Sequence, residues 1–145
     1  MRKVTVAVDE SEQAKRSLLW YLDNIFREGD VVTLITVFDN PVFSFDPLTT
    51  EALAALESYK REAEMNGAKV QKQYLDICRS RNVECKGLVQ EGDPRDEIVE
   101  FVQKDKSDLV VIGCRGLGAI KRMVLGSTSS YVVHHCLCPV VVFRD

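Results

Sequence analysis

Residues 108–129 read D-L-V-V-I-G-C-R-G-L-G-A-I-K-R-M-V-L-G-S-T-S, and this stretch decides the fold. It opens on a short apolar run, Leu109 to Ile112, that stops at a glycine, the pattern of a strand buried on both faces. From Gly113 to Ser129 there is neither Asp nor Glu, and the charges are those of Arg115, Lys121 and Arg122. The stretch closes on Gly126-Ser127-Thr128-Ser129, where a helix is predicted to begin. A strand, a glycine-rich loop and a helix in succession form a unit of a parallel sheet, whose strands are joined by helical crossovers.

The same alternation runs outward in both directions. Residues 3–8 (K-V-T-V-A-V) predict a first strand. Residues 11–27 predict a first helix, with Ser11 as N-cap and Ala14, Leu18, Leu22 and Ile25 on one face. Gly29-Asp30 ends it, and residues 31–38 (V-V-T-L-I-T-V-F) form a continuous apolar strand. Residues 39–47, with two prolines and two phenylalanines, read as a loop. A long helix is expected over residues 48–82, its stripe traced by Leu53, Leu56, Ala63, Gly67, Val70, Tyr74 and Ile77. Gly67 weakens that helix and suits a close packing contact. Residues 83–90 predict the third strand, and Asp93-Pro94 caps and opens the third helix. The fourth strand falls at 108–113, the fourth helix at 127–136 and the fifth strand at 139–143.

Five strands and four helices with no repeat or linker predict one α/β domain over residues 1–145. Right-handed crossovers in a doubly wound, Rossmann-like sheet give the strand order 3-2-1-4-5. The crevice where the order reverses, at the carboxyl ends of strands one and four, is the favoured ligand position of such sheets. Asp9 ends the first strand and Gly113 ends the fourth, so the polar and glycine-rich residues fall at that crevice.

Composition narrows the partners. A net charge of −3 argues against nucleic acid, which needs a basic face. The longest apolar runs are far shorter than the ~20 residues of a membrane span. The first residues enter a strand pattern at once, so no leader is read and a cytoplasmic location is expected. The five cysteines are an odd number without C-x-x-C spacing, and read as small buried hydrophobes in a reducing compartment. Cys136-x-Cys138 is the spacing that suits a metal or a redox role.

The loop after the fourth strand carries the chemistry. Gly113, Gly116 and Gly126 permit close backbone approach. The free N–H groups and dipole of the helix at Gly126 make an anion site, joined by the hydroxyls of Ser127, Thr128 and Ser129. Arg115, Lys121 and Arg122 make an acidic chain locally basic there. The P-loop pattern is absent, since Gly126-Ser127 lacks the lysine, and no G-x-G-x-x-G follows the first strand. His134 and His135 lie on the order of 10 Å along the helix from the phosphate end, too far for a base. Trp20, Phe43 and Phe45 read as packing or loop-anchoring groups.

With these residues in view, the chain resembles the universal stress protein family. The motif Gly113-x-x-Gly116-x9-Gly126-Ser127 matches that of the family's ATP-binding members. The similarity extends to V-T-V-A-V-D-E-S near the start, E-G-D-P at 91–94, and C-P-V-V-V near the end. The resemblance implies an adenine-nucleotide hydrolase-like fold that binds ATP, or ADP or AMP, with Mg²⁺ carried on the phosphates. It implies that Asp9 meets the ribose or the adenine edge. Val37 would meet adenine through its backbone, with Ala7 lining the same pocket. Gly113, Gly116, Gly126, Ser127, Thr128 and Ser129 would surround the phosphates, with Arg115 supplying charge. Cys114 departs from the family's usual serine or threonine and would set a thiol beside the nucleotide.

No catalytic residue is assigned. The expected function is a nucleotide-dependent stress or signalling module with at most very slow ATP hydrolysis. Two alternatives stand beside it, an ATP hydrolase or nucleotidyl transferase of the related fold, and a nucleotide-free structural or chaperone-like dimer. Val140, Val141, Val142 and Phe143 are apolar on both faces at a sheet edge, which predicts a homodimer through the last strand.

Overall fold

The computed structural model describes residues 1–39, 49–114 and 125–144. Five strands, β1 (Lys3–Ala7), β2 (Val31–Phe38), β3 (Cys85–Glu91), β4 (Leu109–Gly113) and β5 (Val140–Phe143), alternate with four helices. These are α1 (Glu12–Asn24), α2 (Thr50–Ser80), α3 (Pro94–Asp105) and α4 (Ser127–His135). The sheet is entirely parallel, in the order β3-β2-β1-β4-β5, as the crossover argument requires. The loop expected at 39–47 lies almost wholly outside the described residues. Among the described residues no helix is long and apolar enough to cross a membrane.

Each face of the sheet is sealed by its own layer. Val4, Val6, Leu34 and Val111 face α1 and α2 and pack with Leu18, Tyr21, Tyr74 and Cys78. Ala7, Ile35, Val110 and Ile112 face the other way, against Ile98, Val99 and Val102 of α3 and Val132 of α4. Register makes these layers coincide, since Val6 pairs with Leu34 and Val111 while Ala7 pairs with Ile35 and Ile112. Leu18, Tyr21 and Leu34 are 0% exposed, and burial of each such side chain contributes roughly 1.5–3 kcal/mol.

Two caps match their sequence signals, at α1 and α3, and a third, Thr49, starts α2 two residues later than expected. Ser11 Oγ accepts from Ala14 N at the start of α1, and Thr49 Oγ1 from Ala52 N at α2. Asp93 Oδ1 accepts from Arg95 N at α3, where Pro94 occupies the first turn. Two helical stripes differ from expectation. In α1 the buried residues are Ala14, Ser17, Leu18 and Tyr21, with Leu22 and Ile25 only partly covered. In α2 the buried residues are Gly67, Gln71, Tyr74 and Cys78, and Leu53 is 47% exposed. The reason is length. A Cβ on Gly67 would lie 2.9 Å from Val89 Cγ1 and 3.7 Å from Phe38 Cδ1, near the carboxyl ends of β3 and β2. The turns of α2 before Gly67 therefore project past the strands by about 25 Å. That close contact also explains a glycine inside a helix.

At the amino ends of the strands one carboxylate gathers three segments. The Asp30 side chain is 2% exposed. It accepts from Arg2 Nε at 2.9 Å and Nη2 at 2.6 Å, from Tyr21 Oη at 2.8 Å and from Arg27 N at 3.1 Å. Burial by itself would raise its pKa, but the hydrogen bonds from Arg2, Arg27 and Tyr21 hold it below the usual carboxylate range. Burial and the nearby Asp30 keep the Tyr21 phenol protonated.

Two stability measurements follow. Asp30→Asn should cost about 1–3 kcal/mol in urea denaturation, because it weakens acceptors that three donors need. The ionised carboxylate stabilises the fold above the unfolded value of about 3.9, and that contribution is lost as pH falls through the lower folded pKa. Melts taken from neutral to acid pH should show this loss in the wild type and lack it in Asp30→Asn. Gly113→Ala should cost about 1–3 kcal/mol by overpacking, for a Cβ there would meet Gln13 O at 2.9 Å and Ala14 N at 3.2 Å, both backbone of α1. An unchanged denaturation midpoint would refute that contact.

Candidate functional site

A cavity of about 850 Å³ opens at the carboxyl ends of the strands, where the strand order reverses. Its floor is formed by Ala7, Val8 and Asp9 after β1, by Ile35 to Asp39 of β2, and by Ile112 and Gly113 of β4. Gly126, Ser127, Thr128 and Ser129 close one end. Of the residues expected at the site, Ala7, Asp9, Val37, Gly113, Gly126, Ser127, Thr128 and Ser129 all line this one cavity. Arg115 and Gly116, with Lys121 and Arg122, lie outside the described residues.

Helix direction gives the cavity its field. In a parallel sheet each crossover helix runs back against the strands, so it begins at their carboxyl ends. The starts of α1, α3 and α4 all border the cavity, through Ser11, Pro94 and Ser127, and each presents the positive end of a helix dipole. The caps differ, however. Ser11 and Asp93 satisfy the first turns of α1 and α3 with their side chains. The α4 N-cap is Gly126, with φ −59° and ψ 158°, and it supplies no side-chain cap to that turn. Among the described residues no side chain accepts from those first N–H groups at the cavity's end, the arrangement that receives an anion. The Ser129 hydroxyl turns back to donate to Gly126 O at 3.1 Å and is buried, while Ser127 is exposed.

Asp9 is held from both sides. Its Oδ1 accepts from Ser11 N at 2.8 Å, and its backbone carbonyl accepts from Tyr74 Oη at 2.6 Å. Burial, then the carboxylates of Asp9 and Glu12, push the Tyr74 phenol up, which favours its role as a donor. Asp9 thus serves the start of α1 and lines the cavity as well.

Two parts of the wall were not singled out in the sequence. One is α2, which contributes Tyr59, Ala63, Asn66 and Val70 through the turns beside and beyond Gly67. The local signal was that glycine, which lets the helix lie against the end of β2. The other is Arg95, the one cation among the described lining residues, set against the carboxylates of Asp9, Glu10, Asp39 and Asp93. Its guanidinium donates to Asp93 Oδ2 at 2.9 Å and Oδ1 at 3.2 Å, which lowers the pKa of Asp93. It also lies 5.9 Å from the centre of the Tyr131 ring, whose hydroxyl donates to Asp96 Oδ1 at 3.0 Å. These contacts tie the start of α3 to α4.

Other candidates fall away from the cavity. Cys114 is buried and its N–H donates to Phe143 O at 2.8 Å; it does not line the cavity among the described residues. His134 and His135 occupy the last turn of α4, with His135 stacked on Tyr131. Trp20 packs against Phe143, while Phe43 and Phe45 are outside the described residues. Of the five cysteines Cys78 and Cys114 are buried, and Cys85, Cys136 and Cys138 are only half-buried, so the uniform reading of buried hydrophobes needs correction. Burial raises the Cys136 thiol to about 11. Among the described residues no group of three or more His, Cys, Asp or Glu side chains is arranged to hold a metal ion.

The chain was compared with known proteins. The universal stress protein PHOS32 of Arabidopsis thaliana is 31% identical over 99% of this chain, which covers 64% of that protein's length. The universal stress protein Sll1388 of Synechocystis is 28% identical, with 98% of this chain and 97% of that protein aligned. Among solved structures, the universal stress protein UspA of Lactobacillus plantarum superposes with a TM-score of 0.72 at 26% identity, covering 99% of this chain and 97% of that one. A universal stress protein family protein of Arabidopsis thaliana, solved with AMP bound, has a TM-score of 0.75 at 25% identity and covers 100% and 93%. The model of the universal stress protein family matches residues 1–144, nearly the whole length over which the parallel sheet and its cavity are built, and this chain belongs to that family.

Proposed function

We propose that the chain is one nucleotide-binding module that takes an adenine nucleotide, ATP foremost, in the cavity at the carboxyl ends of β1, β2 and β4. The observation that carries this reading is the uncapped start of α4, whose N–H groups open onto the cavity behind Gly126. The motif Gly113-x-x-Gly116-x9-Gly126-Ser127 supports it, as does the AMP bound by the Arabidopsis relative. The phosphates lie against Gly126 to Ser129, with the nucleoside toward Ala7, Asp9 and Val37. Arg115 and Gly116 belong to the same phosphate loop. Occupancy then alters the shape or partners of a stress or signalling module acting in the cytoplasm.

The carboxylates at the wall bear on which form of ATP binds. Four of them against Arg95 repel a polyphosphate, and Mg²⁺ on the phosphates offsets that repulsion. The Ser127 and Thr128 hydroxyls suit its coordination shell. Removing Mg²⁺ with a chelator should therefore weaken ATP binding in calorimetry by about tenfold or more, and AMP binding far less. Gly126→Val should abolish ATP binding while the protein still melts cooperatively, since among the described residues a Cβ there meets only Ser129 Oγ, at 3.5 Å. Unchanged ATP affinity in that variant would place the phosphates elsewhere.

Turnover is slow in this reading. The phosphate loop contributes no carboxylate, and one oxygen of Asp9 is committed to the α1 turn. Hydroxyls and backbone N–H groups bind ground-state and transition-state phosphates about equally, which favours affinity over rate. Single-turnover hydrolysis of radiolabelled ATP should run well below the roughly 1–100 per second of kinases. A rate above about 1 per second that disappears in Asp9→Ala would identify an ATPase instead.

The protein is also proposed to pair through β5. All four residues of that edge strand are half-exposed, and Leu137 beside it is 92% exposed. An apolar edge with open backbone groups invites a twofold partner. Sedimentation at tens of micromolar should give a dimer, and Val142→Pro should give a monomer; a wild-type monomer would end the idea.

A further inference from the structure

At the other end of α2, away from the nucleotide cavity, two thiols are brought together. Cys78 sits in the last turns of α2, 1% exposed, inside the core formed with α1. The chain then reverses at once: Arg81 N and Val83 N both donate to Cys78 O, at 3.0 and 2.9 Å. Asn82 takes the left-handed conformation that this reversal requires, with φ 56°. Three residues on, Cys85 opens β3 opposite Val32 and packs against the same core cluster as Cys78. Both are free thiols, and each perturbs the other's proton affinity as a near neighbour does. Cys85 also lines a surface cleft of about 540 Å³, with Leu75 and Arg79 of α2 and the turn residues Asn82, Val83 and Glu84. Cys78 is therefore covered, whereas Cys85 is half-buried at the edge of that cleft.

We propose that Cys78 and Cys85 form a redox-active dithiol that a peroxide closes to an intramolecular disulfide. The turn at Cys78 O and the shared core cluster keep the two residues on the same side of the sheet, as a disulfide between them requires. Cys85 Sγ, at the cleft, attacks one peroxide oxygen. The O–O bond breaks, the leaving hydroxide takes the Cys85 proton as water, and Cys85 becomes a sulfenic acid. Cys78 Sγ then attacks the Cys85 sulfur. The S–O bond breaks, and the second hydroxide leaves as water with the Cys78 proton. Two electrons pass from the sulfurs to the peroxide, one S–S bond forms and two waters are released. The neighbouring Cys78 thiol and burial both raise the Cys85 thiol, so little of it is thiolate at neutral pH. Attack by Cys85 is consequently slower than that of a free thiolate, which suits a site that responds to sustained oxidant.

The test uses the full chain, unsubstituted and with Cys136→Ser/Cys138→Ser, so that the second pair, on the other face of the sheet, cannot supply the result. Each is treated with stoichiometric hydrogen peroxide, alkylated under denaturing conditions, digested and mapped by mass spectrometry. The expected product is a peptide pair linking Cys78 to Cys85, two hydrogens lighter than the reduced pair and restored by dithiothreitol. It should form at least about tenfold faster than Cys114 is oxidised. Cys78→Ser should stop at a sulfenic acid on Cys85, trapped by dimedone, whereas Cys85→Ser should leave Cys78 unmodified. Recovery of both as free thiols after Cys114 has been consumed overturns the proposal. So does linkage of either to a different cysteine, or a Cys78 sulfenic acid in Cys85→Ser. The unsubstituted chain carries the main result, so it does not depend on a variant folding.

Discussion

The direction of the helices is the constraint from which the rest follows. A parallel sheet can be traversed only by returning over one of its faces, and here both faces are covered, by α1 and α2 on one side and α3 and α4 on the other. Each return deposits a helix N-terminus at the carboxyl ends of the strands. Three such ends surround a single cavity, so that region is electropositive in its backbone even though the charged side chains among its described lining are mostly acidic. The opposition of backbone dipoles and carboxylates makes the cavity selective for an anion that brings its own cation or reaches past the acids to the uncapped turn of α4.

Caps decide which helix start is available. A side-chain cap and a bound anion compete for the same N–H groups, so a helix that ends its first turn on Ser or Asp has already given up that capacity. Ser11 and Asp93 do this for α1 and α3, and the pairing of Asp93 with Arg95 reinforces it. Gly126 leaves α4 open. Glycine is itself a tolerable N-cap, so the chain forgoes only about a few tenths of a kcal/mol by leaving those N–H groups to a ligand.

The two ends of the sheet divide the work. At the amino ends, Asp30 ties together Arg2, Tyr21 and the backbone of Arg27, and Cys78 meets Cys85 across the α2 to β3 turn. These contacts are buried and local to the scaffold. At the carboxyl ends the side chains are more exposed, and one wall is formed by turns of α2 that extend past the strands. A helix of 31 residues beside strands of five to eight must overhang, and Gly67 sets the point at which packing on the sheet gives way to lining the cavity.

Much of this was legible before any coordinates. Continuous apolar runs at 31–38 and 109–112 specify buried parallel strands, and Ser11, Asp93-Pro94 and Gly126 mark helix starts, because periodicity and capping are properties of neighbours in the chain. Crossover handedness then gives the strand order from chain order alone, and with it the meeting of Asp9 and Gly113 at one crevice, to which the family resemblance adds Ala7, Val37 and Gly126 to Ser129. What the chain could not disclose depends on residues distant in sequence. The buried face of α1 turns toward Tyr21 because its hydroxyl reaches Asp30, which is in place only after the chain has turned. Gly113 is glycine to admit the backbone of α1, a neighbour a hundred residues away in the chain, and periodicity carries no trace of such contacts. Arg95 and the α2 wall belong to the cavity only because separate elements cross there. The meeting of Cys78 with Cys85 likewise needed the turn at Asn82, since spacing alone does not say which way two thiols point.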